Sequence, residues 1–341
     1  MLKVAFVGMK RSPYSMDNGY WPTFVKYHLE LPYYYAKYSN CQVDLITTEN
    51  IEYNEIANLK CISEKQFLDE KKQYDVVVHW RKWFDEFYVS SAKNVILSQD
   101  HSFSNEWKQS VYNAYNQKKL YGILVFPTWH KENTSHELSG LVPKSVLYEG
   151  MTLGVDTSVY FPYDKDPYSL LWASDPGRGL DKLIPIFIKL RKADARFKLT
   201  VTYPDYVKPE NVAKYSQFFS FPGVIHKPTL RNGKELQDLF NSTAFLPYTS
   251  TFPEPSSRCH RQAMASGCVV LYPENMGTPS YLIKDKVNGF VRPLYEWHDI
   301  IIDVINKGLI QEIGSNAREL AISEDWRIQA ERFYSFFKER L

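Results

Sequence analysis

Two groups of residues in the second half of the chain have the side chains needed to bind an anionic, hydroxyl-rich ligand. In the first group, the segment 174–182 follows an apolar segment directly, and it contains Arg178 and Gly179, with Lys182 one helical turn after Arg178. A glycine lets the backbone approach a phosphate closely, while arginine and lysine supply fixed and mobile positive charge. The alternative is an ordinary turn with solvated charges, since a single Gly-x-Gly turn is a weak signal.

Glu254 and Gln262 form the second group. Glu254 lies between Pro253 and Pro255, so it belongs to a loop rather than to a helix face. Its carboxylate can accept hydrogen bonds from sugar hydroxyls, and Gln262, eight positions later, can both donate and accept. The alternative is that Glu254 only complements the dipole of the helix that follows it.

The second group lies in a strand, loop and helix arrangement between residues 245 and 270. The pattern predicts a helix from about Ser256 to Ala265, which Gly267 ends before a strand at 268–272. Backbone N–H groups at the start of such a helix favour an anion. Ser256 and Ser257 are predicted to cap this helix and to add hydroxyl donors.

Asp100 and His101 follow a strand predicted at 94–99. Ligands of α/β sheets bind at the carboxyl ends of the strands, so both residues are candidates, although a lone histidine also has a structural explanation. Asp17, Asn18 and Gly19 lie in a loop after the first predicted strand, where a ligand is commonly placed. The glycine pattern of nicotinamide-dinucleotide sites is missing from this loop.

Apolar strands alternate with helical segments along the whole chain. Strands are predicted at 2–8, 42–47, 75–80, 94–99 and 121–127, and again at 169–173 and 198–202, with a helix at 180–193 between the last two. This alternation predicts doubly wound α/β domains. We expect a first domain at 1–155, a second at 156–322, a linker rich in Gly, Tyr and Pro at 149–162, and an amphipathic tail helix at 323–341.

Composition excludes several classes of protein. The 341 residues include 41 basic and 39 acidic side chains, a net charge of +2, which predicts no nucleic-acid partner but permits contact with an anionic membrane surface. Cysteines without C-x-x-C spacing and histidines without a metal-ligand pattern predict no metal site and a reducing compartment. Without a leader-like start or a membrane-spanning run, we expect a cytoplasmic protein.

Together, four segments resemble the retaining GT-B glycosyltransferases of family 4, also called glycosyl transferases group 1. Gly154-Val155-Asp156 with Tyr160 or Phe161 is similar to the linker signature of this family. Arg178-Gly179-Leu180 is similar to its basic phosphate turn, and residues 253–267 to its E-x7-E motif. Asn288-Gly289-Phe290-Val291 is similar to its N-G turn. The four segments occur in the family's order, between residues 154 and 291.

The resemblance implies two Rossmann-like domains facing across a cleft, with a nucleotide sugar held mainly by the second domain. Arg178 and Gly179 would bind the diphosphate, and Lys182 would assist if it lies on the ligand side. Glu254 would contact the transferred sugar. The helix that begins after Pro255, near Ser256 and Ser257, would cradle the diphosphate.

Further roles follow from the same resemblance. Gln262 stands where the family most often has a second glutamate that binds ribose hydroxyls, so its hydrogen bonds to a diol would lack charge assistance. His101 would lie near the reacting centre, which makes His101, Glu254 and Arg178 the candidate catalytic residues. Asp100 and the loop from Asp17 through Asn18 to Gly19 would lie beneath the sugar and the acceptor, and the tail helix would cross back to the first domain.

The function implied is transfer of a sugar from a UDP- or GDP-sugar to a hydroxyl of a glycan, lipid or other glycoconjugate, with retention at the anomeric carbon and without a cofactor. Such a reaction belongs to glycan biosynthesis. Two alternatives remain open on the same fold. One is a non-catalytic protein that binds nucleotide sugars or carbohydrate, and the other is an epimerase or phosphorylase.

Overall fold

The protein divides into two compact units. The computed structural model describes residues 1–8, 30–47, 56–70, 73–149, 153–204, 207–228, 230 and 233–340. The first unit comprises Met1–Gly154 with Trp326–Leu341, and the second unit comprises Val155–Asp325. Each unit contains its own parallel sheet, as the alternation of strands and helices predicts.

Seven parallel strands form the sheet of the first unit, in the order β3-β2-β1-β4-β5-β6-β7. Their bounds are β1 (Leu2–Val7), β2 (Cys41–Thr47), β3 (Leu59–Ser63), β4 (Val76–Trp80), β5 (Lys93–Leu97), β6 (Gly122–Val125) and β7 (Leu147–Glu149). The central strands are apolar and buried on both faces, as is usual where helices cover both sides of a parallel sheet.

Within the described residues, four α-helices lie between these strands. They are α1 (Glu30–Tyr38), α2 (Glu64–Glu70), α3 (Asn105–Asn116) and α4 (Trp129–Glu137). The structure describes α1 from Glu30 onward. Ser104 caps α3 by accepting a hydrogen bond from the backbone N–H of Trp107 at 3.2 Å.

The sheet of the second unit has six parallel strands in the order β10-β9-β8-β11-β12-β13. The strands are β8 (Asp166–Ala173), β9 (Lys198–Thr202), β10 (Val224–His226), β11 (Thr243–Pro247), β12 (Val269–Tyr272) and β13 (Phe290–Val291). Its helices are α5 (Leu180–Ala193), α6 (Pro209–Ala213), α7 (Ser216–Phe219), α8 (Gly233–Ser242), α9 (Arg258–Ala265), α10 (Pro279–Leu282), α11 (Trp297–Asn306) and α12 (Ile310–Ser323).

The tail helix α13 (Trp326–Lys338) belongs to the first unit and packs on α1. The ring of Phe333 stacks on Tyr35 with centroids 4.0 Å apart, and Trp326 stacks on Tyr34 at 5.0 Å. These rings are buried, so Tyr34 and Tyr35 of α1 belong to the core of the first unit. The apolar face of the tail accounts for the amphipathic pattern seen in the sequence.

The start of the second unit is held to its end. Arg318 donates to the carbonyl oxygen of Tyr160 at 2.8 Å, and Thr157 donates its backbone N–H to Asp325 at 3.1 Å. Tyr160 is buried whereas Phe161 is 38% exposed. Of the two aromatic residues that compete for the linker signature, Tyr160 therefore fills the core position.

Candidate functional site

Two loops pack on each other at the carboxyl edge of the second sheet. The first follows β8 and contains a short 3-10 helix, Pro176–Arg178; the second follows β11. The backbone N–H of Thr251 donates to the carbonyl oxygen of Arg178 at 3.1 Å. The hydroxyl of Thr249 donates to the carbonyl oxygen of Gly179 at 2.6 Å. These two bonds fix the position of Arg178 relative to the loop that carries Glu254.

Gly179 is required for this close contact between the loops. Its φ of 125° is a conformation that residues with a side chain rarely adopt. A Cβ at this position would lie 2.2 Å from the carbonyl oxygen of Thr249. Any other residue here would push the two loops apart.

Arg178 and Glu254 form an ion pair at the point where the loops meet. The guanidinium Nη1 lies 2.5 Å from Glu254 Oε1, and the Arg178 side chain also lies over the ring of Phe252, 4.8 Å from its centroid. The Glu254 side chain is 9% exposed and the Arg178 side chain 33%. The carboxylate is thus nearly buried, while the arginine reaches the surface.

The backbone of Glu254 is fixed as well as its side chain. Its N–H donates to the carbonyl oxygen of Met276 at 3.0 Å, and its carbonyl oxygen accepts from the N–H of Thr278 at 2.9 Å. Gly277 lies alongside, and a Cβ on Gly277 would come within 2.4 Å of the Glu254 carbonyl oxygen. Glu254 lies in a loop before the helix, as its flanking prolines predict.

A buried tyrosine, Tyr248, donates a hydrogen bond to the Glu254 carboxylate. The Tyr248 hydroxyl donates to Glu254 Oε1 at 3.1 Å and lies 3.0 Å from the Ser174 hydroxyl. The ring of Tyr248 is stacked between Trp172, at 5.4 Å, and Tyr272, at 6.0 Å between centroids. This stack fixes the direction of the hydroxyl.

Burial and charge act in opposite directions on the Glu254 carboxyl. Burial raises its pKa above the ordinary value, and the charge of Arg178 and the hydrogen bond from Tyr248 oppose that rise. Burial also raises the pKa of Tyr248 well above its usual range, and the nearby Glu254 charge adds to the rise. Tyr248 therefore stays protonated and remains a donor to Glu254.

His260 completes the group of rings. It meets Tyr248 and Tyr272 edge to face, with centroids 4.7 Å and 4.5 Å away. Burial lowers the pKa of His260 to about 3, and the positive charge of Arg261 lowers it further. His260 is therefore a neutral packing residue at physiological pH.

The start of α9 differs from the prediction. The helix begins at Arg258, and Ser257 occupies the N-cap position without making a side-chain capping hydrogen bond. The Ser256 hydroxyl accepts from Arg261 Nη1 at 2.9 Å, and Arg261 also pairs with Glu324 at 2.7 Å. The prediction that Ser256 and Ser257 cap this helix is wrong, because the buried arginine engages Ser256 instead.

Three other predicted donor-site residues have separate environments. Gln262 is half-buried and donates from Nε2 to the Tyr160 hydroxyl at 2.9 Å. Lys182 is exposed, with its ammonium 3.7 Å from the Asp181 carboxylate. Pro255 is buried beside Glu254. The structure therefore brings Arg178, Gly179 and Glu254 together, while Gln262 lies about one turn into α9 and the Lys182 ammonium faces solvent.

Asp100 and His101 lie in the first unit, after β5. Asp100 pairs with Arg81 through both carboxylate oxygens, and its carbonyl oxygen accepts from His130 Nε2 at 2.9 Å. The His101 carbonyl oxygen accepts from Asn133 at 2.6 Å. Both residues are half-buried at the carboxyl edge of their own sheet. The predicted loop of Asp17, Asn18 and Gly19 lies outside the described residues.

His130 is a structural histidine whose tautomer follows from its contacts. Its Nδ1 accepts from the backbone N–H of Phe126 at 3.1 Å, so Nε2 carries the proton that is donated to Asp100. Burial lowers the pKa of His130 to about 4, although the bond to the Asp100 carbonyl opposes the change. His130 is thus neutral and holds the backbone next to His101.

The described residues contain no group of three or more histidine, cysteine, aspartate or glutamate side chains that could hold a metal ion. Among the helices within these same ranges, none is long and apolar enough to cross a membrane.

Tyr248 and the ring stack around it were missed by reasoning from the sequence. Pro247 of β11 pairs with Leu271 of β12, so Tyr248 and Tyr272 leave neighbouring strands at the same edge of the sheet. That register is the signal that could have placed both rings behind Glu254. It becomes visible only once the strand order is known.

No protein-family model matches the chain, and no curated protein matches it by sequence. Solved structures do match. A glycosyltransferase from Rickettsia africae ESF-5 aligns over 99% of this chain and 98% of its own, with a TM-score of 0.74 and 14% identity. Anabaena HepE, solved with UDP and glucose, aligns over 99% and 100% with a TM-score of 0.70 and 14% identity.

Sucrose-phosphate synthase from Thermosynechococcus elongatus also matches, over 100% of this chain and 99% of its own, with a TM-score of 0.73 and 11% identity. Identities this low show shared architecture and leave activity to be argued from the site. The two parallel sheets, of seven and six strands, agree with these neighbours. The chain therefore has the GT-B glycosyltransferase fold, with two Rossmann-like α/β domains.

Proposed function

We propose that this protein transfers a sugar from a nucleotide diphosphate sugar to a hydroxyl acceptor, with retention at the anomeric carbon. The observation that carries the proposal is the Arg178–Glu254 pair at the carboxyl edge of the second sheet. It places a surface-reaching cation beside a nearly buried carboxylate, at the edge of an α/β sheet where ligands bind.

Arg178 is assigned to the diphosphate. A guanidinium carries five N–H groups in a rigid fork, so it can donate to a carboxylate and to a phosphate oxygen at the same time. Charge that develops on the leaving diphosphate would be stabilised by this cation and by the amino end of α9. The absence of a side-chain cap at Ser257 supports this role for α9, since no serine hydroxyl competes for its first N–H groups.

Glu254 is assigned to hydroxyl groups of the transferred sugar. Arg178 and Tyr248 both donate to Oε1, whereas Oε2 accepts no hydrogen bond from the rest of the described chain. A carboxylate oxygen in this state can accept from a sugar hydroxyl without giving up an existing contact. Glu254 would thus orient the sugar while Arg178 holds the leaving group.

Gln262 is assigned to the nucleoside. Its Nε2 donates to the Tyr160 hydroxyl, and its Oε1 accepts no hydrogen bond within the described ranges. The amide oxygen can therefore accept from one hydroxyl of a ribose diol. A neutral amide gives a weaker hydrogen bond than a carboxylate would, so we expect this contact to contribute modestly to donor affinity.

The acceptor is assigned to the first unit. Asp100 and His101 lie at the carboxyl edge of its sheet, where they form the half-buried start of the segment that leads to α3. Anabaena HepE has been solved with UDP-glucose, which supports a sugar donor of this type for the shared fold. In this proposal, Arg178 and the amino end of α9 stabilise the leaving diphosphate without a metal ion or cofactor.

The test is a transfer assay with the full chain, in which UDP-, GDP-, ADP- and dTDP-sugars are combined with hydroxyl acceptors. We expect acceptor-dependent release of nucleoside diphosphate, and a product whose anomeric configuration by proton NMR equals that of the donor. Inversion would contradict the retaining reaction. Donor binding without turnover would indicate the non-catalytic alternative, and turnover without an acceptor, or only with inorganic phosphate, an epimerase or a phosphorylase.

A further inference from the structure

A polar pocket lies at the amino edge of the first sheet, opposite the edge that carries Asp100 and His101. Its volume is about 600 Å³, which falls within the roughly 300–1,000 Å³ of small-molecule sites. It is formed where the chain enters β5 and β6 and where α3 ends. Three lysines and three tyrosines dominate its lining: Tyr88, Lys93, Tyr115, Lys118, Lys119 and Tyr121.

The pocket has an excess of positive charge. Lys119 pairs with Asp85 at 2.7 Å, which neutralises one of the three ammonium groups. Neither Lys93 nor Lys118 pairs with a carboxylate in the described part of the chain, and Lys93 lies 4.3 Å from the centroid of the Tyr121 ring. Two ammonium groups are thus available to an anionic ligand.

The rings of two of the tyrosines, Tyr121 and Tyr88, already have contacts. Tyr121 has Lys93 over its ring and is stacked with Tyr148 at 5.8 Å. Tyr88 has Lys119 at 5.4 Å from its ring centroid and Trp83 at 6.3 Å. A planar base, which binds by stacking on an open ring face, would therefore have to displace a contact at either of these two rings.

Several groups in the pocket can donate and accept hydrogen bonds. The hydroxyls of Tyr88 and Tyr115 have no hydrogen-bond partner elsewhere in the described residues, and Ser90 and Asn116 add a hydroxyl and an amide to the lining. Groups of this kind bind ligands that carry many hydroxyls. The volume far exceeds that needed for a single phosphate ion.

We propose that this pocket binds an anionic saccharide, a short sugar chain that carries phosphate or carboxylate groups. The ammonium groups of Lys93 and Lys118 bind the anionic groups, and the tyrosine hydroxyls and Asn116 bind sugar hydroxyls. This binding does not depend on the transfer reaction proposed above, because the pocket is separate from Arg178 and Glu254 and lies wholly within the first unit.

A membrane surface fits the pocket less well. Peripheral binding to a bilayer combines lysines with apolar side chains that enter the headgroup region. The apolar members of the lining are Ala92, which is half-buried, and Leu120, which is 7% exposed. The pocket therefore has charges that could meet lipid headgroups but no exposed apolar side chain to insert between them.

The positive charge of Lys118 and Lys119 has a second explanation, which can also be tested. Lys118 and Lys119 follow the end of α3, where positive charge stabilises a helix dipole. Lys93 is the first residue of β5 and has no such role. The Lys93→Gln variant therefore tests the pocket without changing the charge at the helix end.

The experiment is calorimetric titration of the full chain, without any nucleotide sugar, in about 0.15 M salt to screen weak surface contacts. The probes are a galacturonate hexamer, a neutral maltohexaose of equal length, and vesicles with anionic headgroups. We expect saturable binding of the galacturonate hexamer only. Lys93→Gln alone should raise its Kd several-fold with the charge at the end of α3 unchanged, and Lys93→Gln with Lys118→Gln should raise it at least about tenfold, since charged hydrogen bonds are lost. Lys93→Arg should retain binding.

The matched control is Lys60→Gln with Lys65→Gln, which removes the same charge from exposed positions of the same unit. It should leave the Kd within about twofold, because screened surface charges contribute little. The proposal is overturned if no hexamer binds, if maltohexaose binds equally well, or if the control weakens binding as much. Lys93-dependent binding of vesicles in place of the hexamer would instead identify a membrane contact.

Discussion

The carboxyl edges of the two sheets carry ion pairs of contrasting character. In the second unit, the Glu254 side chain is 9% exposed and is held by Arg178 and Tyr248. In the first unit, Asp100 pairs with Arg81, but the side chains of that pair are 30% and 55% exposed. The same strand-loop arrangement thus presents a nearly buried pair on one sheet and a solvated pair on the other.

The difference shows where a fixed geometry is built into the molecule. A solvated pair contributes little stability and its side chains reorient easily, whereas removing one partner of a buried pair leaves a charge without compensation. We infer that the second unit is preorganised for one ligand, the proposed donor. If the first unit binds the acceptor as proposed, its solvated pair could adapt to acceptors that differ in shape.

The largest effect is expected from Arg178→Ala. The variant removes the proposed diphosphate contact and leaves Glu254 nearly buried without its cation, so kcat/KM should fall by at least about 100-fold. The matched control is Arg292→Ala, because Arg292 also pairs with a carboxylate, Asp285, at 2.5 Å and is equally exposed at 33%. Steady-state transfer kinetics of both variants check this, and equal losses would contradict the assignment.

Gly179→Ala tests whether the two loops must touch. The added Cβ would meet the Thr249 carbonyl oxygen in a backbone conformation already unfavourable for alanine, so we expect about 2 kcal/mol of destabilisation and at least a tenfold loss of transfer. Gly308→Ala is the control in the same unit. Gly308 also has a positive φ, 66°, but nothing lies within 4 Å of its Cβ position.

For Gly308→Ala we expect about 1 kcal/mol of destabilisation from the backbone alone, with transfer unchanged. Urea unfolding together with transfer assays measures both quantities. If Gly179→Ala were no worse than Gly308→Ala, the contact between the loops would not matter for the site.

Tyr248→Phe should have a smaller effect, which falls on kcat rather than on KM. The variant keeps the ring stack but removes the hydroxyl that donates to Glu254, so kcat should drop about tenfold while the KM for the donor stays within about twofold. The pKa of Glu254 should rise further without this donor, so activity should be lost at a higher pH as the solution is acidified.

Tyr272→Phe is the control for this variant. Tyr272 belongs to the same stack, but its hydroxyl donates to the Met276 carbonyl oxygen at 2.8 Å and not to Glu254. It should leave the acidic limb of the pH profile in place. A shift of that limb in both variants would show that the ring stack, and not the Tyr248 hydroxyl, sets the behaviour of Glu254.

The smallest effect is expected at the carboxyl edge of the first sheet, where His130 donates a hydrogen bond to the carbonyl oxygen of Asp100. Burial lowers the pKa of His130 in the folded state to about 4, below the ordinary value of about 6.5 for unfolded chains. The stability it contributes is present above pH 6.5 and is lost as the pH falls toward 4, because the unfolded state binds the proton first.

His130→Gln should therefore flatten the pH dependence of the unfolding free energy between pH 6.5 and 4, by about 1 kcal/mol per pH unit. Exposed His136, on the same helix, serves as the control, since His136→Gln should leave the slope unchanged. Urea unfolding at several pH values provides the measurement. An unchanged slope in His130→Gln would contradict the neutral state assigned to this histidine.

Long elements with strong periodicity were predictable from the sequence. The predicted bounds of α5 (180–193) and β9 (198–202) agree with the structure, as does the parallel α/β arrangement of both units. β13 has only two residues, which are too few to show the alternation of apolar and polar residues that is typical of a strand. It forms a strand because it pairs with β12. Local patterns specify elements, while short strands depend on their neighbours.

In the candidate site, too, residues marked by local sequence were predictable, whereas residues that depend on distant partners were not. Glu254 and Arg178 became candidates from the sequence because glycine and proline mark their loops, and those signals are local. Tyr248 and the Arg261–Glu324 pair were not found, because their partners lie far away in sequence and depend on the packing of α9. The expected serine cap failed for this reason, since Arg261 engages Ser256 from within the helix.

The most direct test of the central claim is donor binding measured without catalysis. Thermal shift of the full chain with UDP-, GDP-, ADP- and dTDP-sugars should show that at least one of them raises the Tm, because a ligand of the folded state stabilises it. The same ligand should stabilise Arg292→Ala and should fail to stabilise Arg178→Ala. If no nucleotide sugar stabilises the wild type, or if Arg178→Ala responds as the wild type does, the edge at Arg178 and Glu254 is not a donor site.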